Sequence, residues 1–199
     1  MKIKICGLSR REDVAYVNQT RPDWCGFVID CPKSRRNVSG EQAAALRAEL
    51  APGIVPVGVF VDRPVDQVAG LLLDGTIAVA QLHGGEDEGY LAALRDAAPG
   101  CVLWRAFRVR SREDLVSAAA SSADLVVLDN GAGTGQGFDW SLLKGFPRPY
   151  LLAGGLTPDN LPQAAALGPF GVDLSSGVET DGKKDEAKIL AAVAAARRV

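Results

Sequence analysis

What most constrains the fold of this chain is a regular switching between two hydrophobic periods. Eight short apolar runs rich in β-branched residues recur along it: "KIKICG" (2–7), "WCGFVI" (24–29), "VPVGVFV" (55–61), "IAVAQLH" (77–83), "CVLWRAF" (101–107), "ADLVVLD" (123–129), "PYLLAGG" (149–155) and "GVDLS" (171–175). Between most of them lie stretches with apolar residues three and four apart, such as "SRREDVAYVNQT", "SGEQAAALRAELA", "EDEGYLAALRDAA" and "DEAKILAAVAAARR". The first pattern suits strands and the second amphipathic helices. Several helical stretches open on a serine followed by an acid, as in Ser9/Glu12 and Ser111/Asp114, which is the signature of a capping box. "FDWSLL" reads as a short helix, and in "TPDNLPQAAALG" the helix start stays open between Pro158 and Pro162.

Strand–helix units in series build a parallel sheet, and eight of them close a barrel. At 199 residues the chain is at the short end for that fold, which takes roughly 200 or more. An open doubly wound sheet would need a glycine-rich turn after the first strand. Here that turn is "CGLSRRED", with no G-x-G-x-x-G. The expected fold is therefore α/β, a TIM (β/α)8 barrel forming one compact domain over 1–199. No linker, low-complexity tract or block of charge divides the chain.

With 22 Lys+Arg against 24 Asp+Glu, the net charge of −2 gives no reason to expect nucleic acid or an anionic membrane as partner. The apolar stretches stay below the ~20 residues of a spanning helix, and the N-terminus lacks the apolar core of a signal peptide, so a cytoplasmic protein is expected. The cysteines are Cys6, Cys25, Cys31 and Cys101, with no C-x-x-C pair, and His83 is the single histidine. Neither a disulfide framework nor a metal site is expected from those spacings.

Side chains alternate along a strand, so each run has two faces. In the first, Ile3 and Ile5 suit the outer wall, which leaves Lys4 and Cys6 facing the axis, with Cys6 at the carboxyl end where barrel active sites lie. A cation beside a thiol favours thiolate, yet a small apolar plug also fits that place. Other runs end in Gln81 with His83, Arg105 with Phe107, Asp129, and Asp173 with Ser175. Polar groups converging on one rim suggest a site.

Glycine-bearing loops follow the last three strands: "NGAGTGQG" (130–137), "GGL" (154–156) and "SSGVE" (175–179). Loops after strands seven and eight commonly bind phosphate in barrels, where glycine lets backbone N–H groups approach an anion. The longer loop reads as a flap able to close over a ligand.

Taken together, these blocks resemble the phosphoribosylanthranilate isomerase family. The resemblance is carried by "KICG" (4–7), "PKSRR" (32–36), "GVFVD" (58–62), "QLHG" (81–84), "LD…GTGQGFDW" (128–140), "LAGGLTPDN" (152–160), "GVDLSSGVE" (171–179) and "GKKD" (182–185). It implies the Amadori rearrangement of N-(5-phosphoribosyl)anthranilate in tryptophan biosynthesis, with a small sugar phosphate as substrate and no metal or organic cofactor. It also implies a monomer or a homodimer. By motif position the general base falls on Cys6, the general acid on Asp129, and the anchor of the anthranilate carboxylate on Arg36. Gln81, His83 and Asp173 fall among site-lining residues, and the phosphate site falls on Gly154, Gly155, Ser176 and Gly177. Two positions depart from the family pattern: Asn37, usually aromatic, and Ala132, usually glycine.

The implied chemistry asks for unusual protonation states. Free cysteine titrates near ~8.5 and aspartate near ~3.9, so at neutral pH both groups start in the wrong form. One rival is another aminoaldose-phosphate isomerase of the kind with paired aspartates at strands one and six. Cys6 in the first of those places argues against it. The other rival is a non-catalytic barrel that only binds a phosphate ligand, and retention of both Cys6 and Asp129 argues against that.

Overall fold

The structure, a computed structural model, describes residues 1–129 and 139–199. In chain order its elements are β1 (Lys2–Cys6), α1 (Arg11–Thr20), β2 (Trp24–Ile29), β3 (Asn37–Val38), α2 (Gly40–Ala48), β4 (Val55–Phe60), α3 (Val65–Leu73), β5 (Val79–Leu82) and α4 (Glu88–Ala97). There follow β6 (Val102–Arg108), α5 (Arg112–Ala120), β7 (Leu125–Asp129), β8 (Tyr150–Ala153), α6 (Leu161–Ala165), β9 (Gly171–Leu174), β10 (Glu179–Thr180), β11 (Lys183–Lys184) and α7 (Glu186–Arg198). Short 3-10 helices at Trp140–Leu143 and Ser176–Val178 follow β7 and β9. All eight runs are strands, and the "WSLL" part of "FDWSLL" is the first of the 3-10 helices.

Pairing in the main sheet is parallel throughout, and β1 bonds to both β9 and β2, so the sheet closes on itself. The two-residue β3 lies beside β2 without taking part in the ring. The result is the expected eight-stranded (β/α)8 barrel.

Two apolar layers hold it. Between the outer strand faces and the helices lie Ile3, Ile5, Cys25, Phe27, Leu82, Leu103 and Leu128, with helix residues such as Val14, Leu91, Leu94 and Ile189. Inside the ring, Val57, Val79, Trp104, Leu125, Val127 and Leu151 fill the axis. Trp24 meets Trp104 edge-on, with ring centroids 5.2 Å apart. Burial on both faces is why these strands read as near-continuous apolar runs.

Helix starts differ from expectation in one place. The first helix takes Arg10 as its N-cap, and Asp13, not Glu12, accepts from the Ser9 and Arg10 N–H groups. Glu12 points to solvent, whereas Asp13 is buried against the helix start and also pairs with the Arg10 guanidinium. Asp114 caps α5 as the Ser111 pattern predicts. Pro162 falls in the first turn of α6, behind Asn160. On β6 the rim expectation fails for Arg105. Trp104 and Ala106 point inward, so Arg105 points outward and pairs with Glu88 at 2.8 Å.

Leu151 is fully buried on the barrel axis. Leu151→Ala is expected to cost ~2–5 kcal/mol of unfolding free energy in chemical denaturation, whereas the exposed Leu190→Ala should stay within about 0.5.

Candidate active site

At the carboxyl ends of the strands the apolar filling gives way to a polar tier. Its centre is Lys4, wholly buried, whose Nζ donates to Asp173 Oδ2 at 2.8 Å. The two residues are register partners on neighbouring strands, so barrel closure itself sets the pair. Cys6, one alternation further along β1, completes the group. Opposite it β2 has Gly26, where an added Cβ would stand 2.8 Å from Cys6 Sγ and 3.1 Å from Lys4 Nζ. A missing side chain on β2 is what makes room for a lysine and a thiol inside the barrel.

The electrostatics follow from that crowding. Burial opposes the charge on Lys4, but the Asp173 carboxylate and Cys6 outweigh it and hold the ammonium above its ordinary range. For Cys6, burial pushes the thiol up, and the Lys4 cation pulls back without cancelling the push. Among the described residues Asp173 Oδ1 and Gln81 Oε1 are buried without a hydrogen-bond partner, which leaves both free to meet a ligand.

These groups open on a cavity of about 680 Å³ lined by Cys6, Arg36, Gln81, His83, Asp129, Gly154, Gly155, Asp173 and Ser176. Nine of the ten residues expected at the site are thus gathered there. His83 Nε2 lies 3.5 Å from Asp129 Oδ2, with Asp129 at the end of β7. Cys31 and Lys33 also reach the wall. The tenth residue, Gly177, stands behind the wall, where a Cβ would fall 1.8 Å from the Leu156 carbonyl oxygen. Its glycine lets the loops after β8 and β9 touch backbone to backbone. Gly154 and Gly155 have φ of 89° and 68°, a left-handed pair that favours glycine, and Asn160 locks their turn by donating to the Gly155 carbonyl at 2.9 Å. The "NGAGTGQG" loop, with Ala132, lies outside the described residues.

Arg36 arrives with a partner that sequence reasoning missed. Its Nε and Nη2 donate to the two oxygens of Glu179 at 2.6 and 2.8 Å. Lys184 Nζ donates to the same carboxylate at 2.6 Å, and Arg35 adds a further bond at 2.6 Å. Burial opposes ionisation of Glu179, but its bonds from Arg36 and Lys184 prevail and hold it down to about 2. A signal for this cluster was present: "ETDGKK" carries an Asp-Gly hairpin turn, with Asp181 and Gly182 at φ of 50° and 77°, which sets Glu179 directly opposite Lys184. Asn37, the departure after Arg36, accepts from the Cys31 N–H and so closes its own loop.

A closed parallel barrel with a buried thiol, a carboxylate and paired glycine loops on its carboxyl rim defines a (β/α)8-barrel enzyme. The family model described as N-(5'phosphoribosyl)anthranilate (PRA) isomerase matches residues 3–195, and the chain belongs to that family. It is 45% identical over 198 residues to N-(5'-phosphoribosyl)anthranilate isomerase of Endomicrobium trichonymphae, covering 96% of each chain. The crystal structure of phosphoribosyl anthranilate isomerase from Thermotoga maritima superposes with a TM-score of 0.89 at 31% identity, over 100% of both chains. A phosphoribosyl anthranilate isomerase in complex with reduced 1-(o-carboxyphenylamino)-1-deoxyribulose 5-phosphate matches with a TM-score of 0.87 at 30% identity, again over 100% of both chains.

Because Glu179 is held near 2 against an ordinary 4.5, it stabilises the fold fully above about pH 4.5 and loses that contribution as pH falls toward about 2. Denaturant midpoints measured from about pH 5 down to about pH 2 are expected to fall less steeply for Glu179→Gln than for the parent.

Proposed function

We propose that this chain, as a phosphoribosylanthranilate isomerase of tryptophan biosynthesis, runs its aldose–ketose isomerisation with Cys6 as general base and Asp129 as general acid. The observation that carries the reading is that one cavity is lined by Cys6, Asp129, Arg36 and both glycine loops. Its volume suits a small molecule of the size of a sugar phosphate bearing one aromatic ring.

In this reading the phosphate sits on the Gly154–Gly155 turn and at Ser176, with Gly177 keeping the loops in contact. Arg36 holds the anthranilate carboxylate, because a planar fork donates two parallel hydrogen bonds. Asp129 gives its proton to the ring oxygen, the ring C–O bond breaks, and the amine lone pair closes a C=N bond at C1. Cys6 then takes the proton from C2, whose electrons shift toward the imine to give an enolamine. The enolamine loses its C2 hydroxyl proton and gains one at C1, giving the 1-amino-1-deoxyketose with no net change in atoms. The imine is the electron sink, so no step calls for a metal or cofactor. His83 lies against Asp129 and Gln81 on the wall beside it, both in reach of the sugar.

All of these groups come from one chain, so a monomer suffices for the chemistry whether the protein works singly or as a homodimer. Among the described residues no helix is long and apolar enough to cross a membrane. We place the reaction in the cytoplasm, with a diffusible sugar phosphate as the partner.

The anthranilate ring gives the test, since its emission should fall as the substrate is rearranged. Cys6→Ser and Asp129→Asn are each expected to lower kcat by ~10²–10⁴. Near-normal turnover in either would remove that residue from its role. The elevated thiol predicts a second result: kcat/KM climbs with pH until Cys6 ionises, and Lys4→Met, which removes the cation favouring thiolate, moves that limb to higher pH. A limb that stays in place in Lys4→Met would separate Lys4 from the base.

A further inference from the structure

Glu179 and Lys184 take no part in the chemistry above, yet their side chains are only 4% and 1% exposed. Two buried charges that no reaction step uses call for a reason. We propose that Glu179 is the positioning residue of Arg36, fixing which edge of its guanidinium faces the substrate. This rests on the reading of Arg36 as the carboxylate anchor and deepens it.

A guanidinium has two edges able to donate a parallel pair of N–H bonds, one through Nε and Nη2 and the other through Nη1 and Nη2. Glu179 takes the first edge with both its oxygens. Among the described residues no acceptor engages Nη1. The second edge is therefore left for a ligand carboxylate, on a residue that lines the cavity.

The stem of Arg36 is fixed as well. It lies across Gly7, where an added Cβ would stand 2.3 Å from Arg36 Cδ. The glycine of "KICG" thus supplies the bed for the arginine of "PKSRR". Held at stem and side edge, the fork has little freedom left to lose when substrate binds.

Lys184 completes the device. A buried carboxylate facing Arg36 alone would cancel the charge needed for the ligand. Instead Glu179 is shared among Arg36, Arg35 and Lys184, so the cluster keeps a net positive charge. Lys184 Nζ also donates to the Ser175 carbonyl at 3.0 Å, which ties the same carboxylate to the loop proposed for phosphate.

The opposite role for Glu179 would be a competitor that occupies Arg36 until substrate displaces it, and the two roles differ in sign. In the fluorescence assay on the intact protein, Glu179→Gln is expected to raise KM on the order of tenfold, the scale of one charge-assisted hydrogen bond, with a smaller change in kcat. Inhibition by inorganic phosphate should stay unchanged, whereas loss of fold would weaken it too. A KM that falls or does not move overturns the positioning role. Should the lone Lys184 ammonium prevent Glu179→Gln from folding, Glu179→Gln/Lys184→Met removes both charges and is read against Lys184→Met alone, which loses the same Ser175 bond; a KM no higher in the double variant overturns the positioning role. Arg36→Ala separates the two claims. If it leaves KM unchanged, the anchor reading fails. If it raises KM while Glu179→Gln does not, only the positioning role fails. In the Arg36→Ala background Glu179→Gln should add nothing.

Discussion

The upper half of this barrel is organised around one buried ammonium. Removing a lysine from water costs several kcal/mol unless an anion and further polar groups replace the solvent. Lys4 meets that demand with Asp173, its register partner on β9, and with the Cys6 sulfur on its own strand. Gly26 on β2 supplies the space, since any side chain there would overlap both. Three strands are thereby committed to one charge. Apolar packing stops where the charge begins, and the polar surface above it is the floor of the cavity.

A second buried charge, Glu179, organises the wall. The two clusters are joined through Ser175, whose Oγ donates to the Cys6 carbonyl at 3.1 Å and whose own carbonyl accepts from Lys184. The proposed base, the carboxylate anchor and the phosphate loop therefore share one hydrogen-bonded frame. The link to Cys6 runs through its backbone carbonyl, so the frame fixes the end of β1 that carries the thiol.

Much of this was legible in the sequence. Alternation along "KIKIC" assigned the isoleucines to the outer core and Lys4 and Cys6 to the axis, because burial on both faces leaves little choice of phase. The reading of the rim failed where residue type was followed in place of alternation. Arg105 is polar and near a strand end, but its parity on β6 sends it outward. The family motifs brought Arg36 and the glycine loops to the cavity. What they could not show was pairing between distant segments. Glu179 reads as the last residue of a loop motif until the Asp-Gly hairpin is noticed, and nothing local says that Arg36 will lie across Gly7. Gly26, in the middle of an apolar strand, looks like a weak point until Lys4 is seen to need its space.

The sequence distances in these contacts carry a consequence for how the site comes into being. Lys4 and Asp173 are 169 positions apart, and so are Cys6 and Ser175. Arg36 and Glu179 are separated by 143. The hydrogen bonds that tie the surroundings of the proposed base and the carboxylate anchor to the far end of the chain therefore cross the line where the last barrel strand meets the first. The central strands can pair locally with their neighbours, and the outer core can form one βα unit at a time. The site cannot, because its charges come from opposite ends of the chain. Before closure Lys4 would face water without Asp173, Cys6 would lack its burial, and Arg36 would lack Glu179. Long-range contacts of this kind form late, after the loop entropy they close has been overcome. Closing the ring and pairing these buried charges are thus one event, since Lys4 meets Asp173 only where β1 pairs with β9.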